Sequence, residues 1–479
     1  MRTRDFIYIT VIFILAVSCR QESTNNIYAL IDSGEFNLAR DQIMKKLDTG
    51  TDLESAEKKK LLFEIERMER IRKDFGKSED EVLRFIQKYI PQAGREDLKR
   101  WEEEKSLEMM VIDGKKRYFN RAARNLFRIN KECKKIWQTQ HSAQEGKKSF
   151  PLDAHNREIV KRVKQSGQRY VRPTCMKITY TINVKQGVVP ENETIRCWIP
   201  FPREIAGRQT DIKILRTLPE TYQLAPKDQL QRSIYFEQPS PADRPARFQV
   251  EYSYISRGSY VDIGPEKVKR INPAGPLAEF LKEEAPHILF TDALKQLSRS
   301  IVGNETNPYL IARKLFAWVD QNIPWASARE YSTIRNIPMY AYEHKHGDCG
   351  IQTLLFITLC RINGIPARWQ SGWEFQPPDD SMHDWGMIYF EPYGWMPMDV
   401  TYGLRQRDEA YKWFYLQGMD SYRLIFNDAI SRPFFPPKKH FRSETVDAQR
   451  GEVEWNGGNL YFDQWDWNMQ WMEVPLSGD

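Results

Sequence analysis

Beyond residue 17 the chain has no apolar run long enough to cross a bilayer, and its mean hydropathy is −0.64. A spanning helix needs about 20 consecutive apolar residues, so a multi-span membrane protein is excluded. Cysteine is scarce, with six in 479 residues. Their spacing shows no disulfide framework and lacks the paired cysteines of a structural zinc site. Charge of one sign is also lacking: 71 Lys and Arg against 65 Asp and Glu leave +6, spread along the chain. No nucleic-acid motif accompanies that small excess, so no nucleic-acid partner is expected. What is abundant is aromatic, with 14 Trp, 22 Tyr and 24 Phe, densest after residue 195. A hydrophobic share of 41 % supplies several cores, which excludes a wholly disordered chain. The length suggests roughly three domains.

Arg2 and Arg4 precede an apolar run from Phe6 to Val17, broken only by Thr10. At about a dozen residues it is too short to span a membrane. It ends in Leu15-Ala16-Val17-Ser18-Cys19. A small residue before a cysteine in this setting resembles the lipobox of bacterial lipoproteins, with Ala16 where leucine is usual. The resemblance implies that residues 1–18 are a signal peptide and that Cys19 carries lipid. The protein would then be exported and anchored to a membrane of the bacterial cell envelope. Cleavage without lipidation is the alternative. Five cysteines remain, an odd number, so at least one thiol is free. Cys175 and Cys197 fall on neighbouring predicted strands, but Cys175 is out of phase with the apolar face of its strand.

Residues 19–165 read as a helical region. Leu61, Leu62, Ile65, Met68, Ile71 and Phe75 recur at helical spacing, and Thr51 with Glu54 and Ser78 with Glu81 fit capping boxes. Residues 29–39 resemble the corner of a tetratricopeptide repeat, but no second copy follows at a fixed period. No residue of this region suggests chemistry, and a partner protein is the candidate for what it binds. From Met176 to Val184 the period changes to two, again at Ile195, Cys197 and Ile199, and again from Phe248 to Tyr254. Residues 170–270 are therefore expected to form an antiparallel β-sandwich. Helical patterns return at 277–284, at 292–302 and from Pro308 to about Gln321, with Thr306 or Asn307 as cap. A core over 275–430 and an aromatic-rich segment over 431–479, packing back on that core, complete the division. The expected class is α+β.

The chemistry lies in the core. Cys349, between Gly347-Asp348 and Gly350, precedes the apolar stretch 351–362, so it falls at or near a helix start. Unpaired backbone amides and the helix dipole there favour a thiolate and an oxyanion. Cys360, eleven residues on, reads as a buried structural thiol. The helix ends at Asn363-Gly364, a left-handed stop, followed by Ile365-Pro366. Strands beginning at His383 and ending at Asp399 would bring an imidazole and a carboxylate together, and Cys, His and Asp form a nucleophilic unit for acyl transfer. His344, His346, Cys349 and His383 have no standard zinc spacing, and the acidic residues near 380 fit no calcium loop, so no metal or other cofactor is expected.

Cys349, Gly364 to Arg368, His383 with Trp385, and Gly394-Trp395 with Asp399 together resemble the transglutaminase-like superfamily. The lead-in helix ending Trp318-Val319-Asp320-Gln321-Asn322-Ile323 is similar too. The resemblance covers about residues 290–425. It implies a papain-like fold and a catalytic Cys349–His383–Asp399 triad; some bacterial members carry a preceding β-sandwich. Two features depart from the pattern. Asp384 stands where a small residue is common, and the second oxyanion donor has no single match, with Trp325, Tyr340 and Tyr342 as candidates. Trp385 and Trp395 read as core supports or cleft walls.

The expected reaction is attack of Cys349 on the amide carbonyl of a peptide or protein substrate, giving a thioester. Hydrolysis is favoured over transfer to an amine, because water is abundant outside the cell and no amine-binding element is recognisable. A protein-glutamine acyltransferase is the first alternative, and an inactive peptide- or glycan-binding scaffold is the second.

Overall fold

Residues 26–49, 53–141, 150–406 and 408–476 are described by the computed structural model of the protein; the leader, Cys19 and Thr51 lie outside them. Among the described residues no helix is long and apolar enough to cross a membrane. The chain divides into two units, residues 1–143 and 144–479.

In the first unit, α1 (26–32) and α2 (Phe36–Thr49) form a corner, followed by α3 (Ser55–Asp74), α4 (Glu79–Gln87) and α5 (Arg95–Glu103). The capping box at α4 is formed: Ser78 Oγ accepts from the Glu81 amide, and the Glu81 carboxylate accepts from the Ser78 amide at 2.9 Å. The helical expectation omitted a hairpin, β1 (Met109–Ile112) and β2 (Lys115–Tyr118). Its turn, Asp113-Gly114, has positive φ at both residues, the turn chemistry that an Asp-Gly pair between two short runs signals. The hairpin also explains why the corner starts no repeat. A Cβ on Gly34 (φ +83°) would sit 1.8 Å from the Val111 carbonyl oxygen, so β1 occupies the space beside the corner. Two further helices, α6 (Ala122–Ile129) and α7 (Lys131–His141), follow. One core, including Ile43, Met68, Ile86, Leu98 and Leu126, holds the unit together.

The second unit begins with α8 (Leu152–Ser166), which the sequence pattern alone places in the helical region. It belongs here because Ile159 packs on Gly258, where an added Cβ would lie 2.3 Å away, and Asn156 donates to the Tyr415 hydroxyl at 3.0 Å. The sandwich strands are β3 (Tyr170–Val184), β4 (Thr194–Pro200), β5 (Gln209–Leu218), β6 (Gln223–Leu224), β7 (Ser233–Pro239) and β8 (Ala246–Tyr260). Their alternating residues (Ile178, Tyr180 and Ile182 against Cys197, Phe236 and Val250) fill one buried cluster. Cys175 points away from that cluster, and the five cysteines among the described residues are all free.

Four helices follow: α9 (Asp292–Val302), α10 (Pro308–Asn322, capped by Asn307), α11 (Ile337–His344) and α12 (Cys349–Ile362). Residues 277–284, expected as a helix, carry only a short 3-10 turn at Ala278–Leu281. Every residue of α12 from Cys349 to Arg361 is buried, which makes it the central helix of the core. Gly364, with φ +71°, ends it as expected. The helix packs on an antiparallel sheet in the order β11 (Gly394–Met398), β10 (Asp379–Phe390), β9 (Ala367–Gln376), β13 (Arg423–Asn427). At Gly386 an added Cβ would lie 2.2 Å from Met398 Cε and 3.4 Å from Ile357 of α12, so the glycine allows helix and sheet to meet.

After α13 (Phe414–Gln417) come β12 (Gly418–Met419) and the C-terminal strands β14 (Glu452–Trp455), β15 (Gly458–Leu460) and β16 (Trp465–Val474). They pack back on the core, where Trp471 meets Phe375 with ring centroids 5.0 Å apart and donates to Asp380 at 2.9 Å, and they also join the sandwich. β14 pairs with β4, and β16 pairs with β3 along ten residues, completing both sheets of the sandwich. The period-two run Trp465, Trp467, Met469, Trp471 matches the alternation of β3, and that pairing satisfies its backbone.

Candidate active site

Asp348 caps α12: its Oδ1 accepts from the Ile351 amide at 3.1 Å, leaving Cys349 as the first helical residue. The helix start is crowded. A Cβ on Gly350 would lie 2.0 Å from the Tyr331 hydroxyl and 2.6 Å from Asp384 Oδ2, so only glycine lets those two groups close on it. Cys349 Sγ donates to Asp384 Oδ2 at 3.4 Å. The Tyr331 hydroxyl lies 2.8 Å from Asp348 Oδ1 and 3.0 Å from Asp384 Oδ2. From the C-terminal segment, Gln449 Nε2 donates to Asp384 Oδ1 at 2.6 Å and to the His383 carbonyl at 2.9 Å. Arg450 pairs with Glu330 beside it. Cys349 is 9 % exposed.

The electrostatics at this sulfur reverse the expectation drawn from the helix start. Burial, with Asp384 and Asp348 beside it, holds the Cys349 thiol well above its usual range. Burial, then the neighbouring Asp447 and Asp348, raise Asp384 well above the ordinary carboxylate range. Burial pushes Asp348 up to about 6. In this arrangement the thiol is protonated at neutral pH.

His383 stands in a second network. Its Nε2 lies 2.7 Å from Asp399 Oδ2. Asp399 is wholly buried; its Oδ1 accepts from the amides of Thr401 and Tyr402 at 3.1 and 3.3 Å, and Arg423 donates to its Oδ2 at 3.0 Å. Arg423 also pairs with Asp420 at 2.9 Å and lies 3.5 Å from Glu374. Burial pulls the His383 imidazole down, but Asp399 and Glu374 outweigh it and hold the ring above its usual range. Burial pushes Asp399 up, yet His383 and Arg423 keep it below the usual carboxylate range.

His383 and Asp384 are consecutive on β10, so their side chains leave opposite faces of the sheet. That parity sends His383 to Asp399 and Asp384 to Cys349. The structure thus assembles the His383–Asp399 pair and places Cys349 against the residue next to His383. Cys349 bonds Asp384 and not His383. Among the described residues His383 Nδ1 makes no hydrogen bond, so it is the ring nitrogen left for a thiol or a substrate.

Of the other candidates, Trp325 is 42 % exposed and its backbone bridges to Gly347, two residues before Cys349. Tyr340 stacks on His344 at 4.2 Å, and Tyr342 lies under Lys345 at 4.0 Å; both sit on α11. Lys345, with φ +58°, turns the chain between α11 and the Cys349 loop, and the Tyr340 ring lies 5.9 Å from that of His346 in this loop. Trp385 is a core support: it is fully buried, donates to Gln370 Oε1 at 2.7 Å and lies 5.2 Å below the Arg423 guanidinium. Tyr331, Gln449 and Arg423 were not singled out from the sequence. Each acts across a long separation, and no local pattern marks it. Among the described residues no group of three or more His, Cys, Asp or Glu is set to hold a metal ion.

The buried acids give stability a pH dependence. Asp384, Asp348 and Glu444 have raised folded pKa values, so their contribution is complete below the unfolded value and is lost as pH rises through the folded one. Asp399 and Asp420 are depressed, so theirs is lost only as pH falls through their folded values. His155, His287 and His346, each lowered to about 4 by burial, act in the opposite direction up to the unfolded imidazole value, so the acids are read by difference: from pH 5.5 to 8.5 the melting temperature of Asp384→Asn should fall less, or rise more, than that of the wild type. The same pH dependence in both proteins would contradict the assignment.

With this geometry in place, residues 295–400 match the sequence profile of the transglutaminase-like superfamily. No curated protein matches the chain. Among solved structures, the chain is similar to a candidate cysteine protease from Cytophaga hutchinsonii, with 15 % identity, a TM-score of 0.45, and coverage of 65 % of this chain and 94 % of that one. It is also similar to the periplasmic domain of TgpA from Pseudomonas aeruginosa, with 13 % identity, a TM-score of 0.27, and coverage of 51 % and 91 %. A third, a candidate protease from Parabacteroides distasonis, has 10 % identity, a TM-score of 0.20, and coverage of 56 % and 66 %.

Proposed function

Starting from a chain that carries a transglutaminase-like domain at residues 295–400, we propose that it is a cysteine-nucleophile enzyme acting on amide carbonyls. The observation that carries this reading is the His383 ring: Nε2 is held by Asp399 at 2.7 Å, Nδ1 is unbonded, and the neighbouring residue on the strand is the one that bonds Cys349. In the proposed reaction the end of β10 must turn so that Nδ1 of His383 comes to the Cys349 side; the thiol then leaves Asp384 and passes its proton to that nitrogen of the neutral ring. The thiolate then attacks the carbonyl carbon, and the oxyanion is held by amides at the start of α12. His383 Nδ1–H protonates the departing amine and the C–N bond breaks, leaving a thioester. Water, giving its proton to His383, releases the acid and the thiol. Hydrolysis is the preferred outcome; transfer to an amine differs only in what attacks the thioester. We also propose that the protein works at the bacterial cell envelope with lipid on Cys19.

A binding scaffold without turnover is favoured by one observation, the bond from Cys349 to Asp384 in place of one to His383. Alkylation of Cys349 as a function of pH, in the wild type and in His383→Ala, separates the two readings. The enzyme reading expects a limb near neutral pH that His383→Ala removes, with a loss of about tenfold or more in rate at pH 7. Equal rates in both proteins, with an ordinary thiol limb at about 8.5 or above, establish the scaffold.

A further inference from the structure

In the first unit, α4 and α6 enclose a groove of about 690 Å³. Arg84 and Lys88 stand one turn apart on the α4 side, and Arg121 and Arg124 stand one turn apart on the α6 side. All four are exposed, and none makes an ion pair with another described residue. The one carboxylate lining the groove, Glu81, is already matched by Lys77 at 3.0 Å. Like charges one turn apart on a helix repel, so the two rows are destabilising unless an anion lies between them. The same repulsion reaches Arg128, whose pKa is lowered by burial and then by Arg121 and Arg124. The floor is apolar. Val82 and Ala123 line it with Phe85, whose ring lies 5.8 Å from Lys88 Nζ on one side and 6.0 Å from Arg124 Cζ on the other. Tyr89 against Phe127, with ring centroids 5.1 Å apart, fixes the spacing of the two helices.

We propose that this groove binds an acidic peptide segment, with carboxylates on the two cationic rims and an apolar side chain on the partly exposed Phe85 ring. Guanidinium forks match carboxylates in a bidentate manner, and the aromatic floor rewards side chains that a phosphodiester backbone lacks. A concave groove also excludes a flat lipid surface. The site is independent of the reading given to Cys349.

The test uses the full chain carrying Cys349→Ala, so that no turnover can consume the probe, and a fluorescent peptide alternating Glu and Leu, followed by anisotropy. Saturable binding is expected. It should weaken about tenfold in Arg121→Glu/Arg124→Glu and again on raising salt from about 50 to 300 mM, while a Ser-Leu peptide does not bind. Both substituted residues are exposed, and an unchanged melting temperature shows that the unit is folded. Absence of binding, binding unaffected by the charge reversals, or tighter binding to a single-stranded oligonucleotide or to anionic phospholipid vesicles overturns the proposal.

Discussion

Asp384→Ala should make Cys349 react with iodoacetamide about ten times faster at pH 7 than the wild type, because each unit by which a thiol pKa falls raises its thiolate fraction about tenfold. In the native arrangement Asp384 Oδ2 accepts the thiol proton at 3.4 Å, and its carboxyl group, with burial, disfavours the thiolate. Alanine removes the carboxyl group that accepts the thiol proton and admits water to the start of α12. Asp384→Asn, which keeps size and hydrogen bonding but carries no charge, should give a smaller increase. Peptide mapping assigns the label to Cys349 rather than to the half-buried Cys175. A rate that stays level or drops in both variants would mean that Asp384 does not restrain the sulfur.

Arg423→Met should cost about 3–5 kcal/mol, the usual penalty for removing one partner from a buried ion pair. Arg423 is 1 % exposed and stands between Asp399 and Asp420, with Glu374 at 3.5 Å. Methionine fills most of the space and leaves carboxylates without their cation. A fall of about 5 °C in melting temperature follows for a unit of this size. Because the guanidinium also pulls the His383 pKa down, its loss should move the histidine-dependent limb of the alkylation profile to higher pH. An unchanged melting temperature would show that the carboxylates are hydrated or neutral in the native protein.

The parts of this site that sequence reading reached are those defined by local pattern. A cysteine before an apolar helix, an Asn-Gly stop, and two strands carrying His383 and Asp399 all rest on neighbouring residues. Strand parity was equally available at His383-Asp384, and followed through it places Asp384, not His383, on the Cys349 side. Out of reach were Tyr331, Gln449 and Arg423, which meet their partners only after distant segments have folded together. Gln449 lies 65 residues from Asp384 in the chain and bonds it at 2.6 Å. The C-terminal aromatic run was legible as a strand, but nothing in a period of two says which sheet a strand will join.

The pairing of β16 with β3 and of β14 with β4 has a consequence for biogenesis. Strands of one sandwich are made both before and after the segment that bears Cys349, so that segment is in effect an insertion within a layered scaffold. During synthesis β3 and β4 emerge about 250 to 280 residues ahead of the partners that cover them, a long interval at ribosomal speed of about 5–20 residues per second. The nascent chain must therefore keep two open edges from pairing wrongly until the last strands are delivered, and a message cut short of them would yield a product marked for proteolysis rather than a smaller working protein.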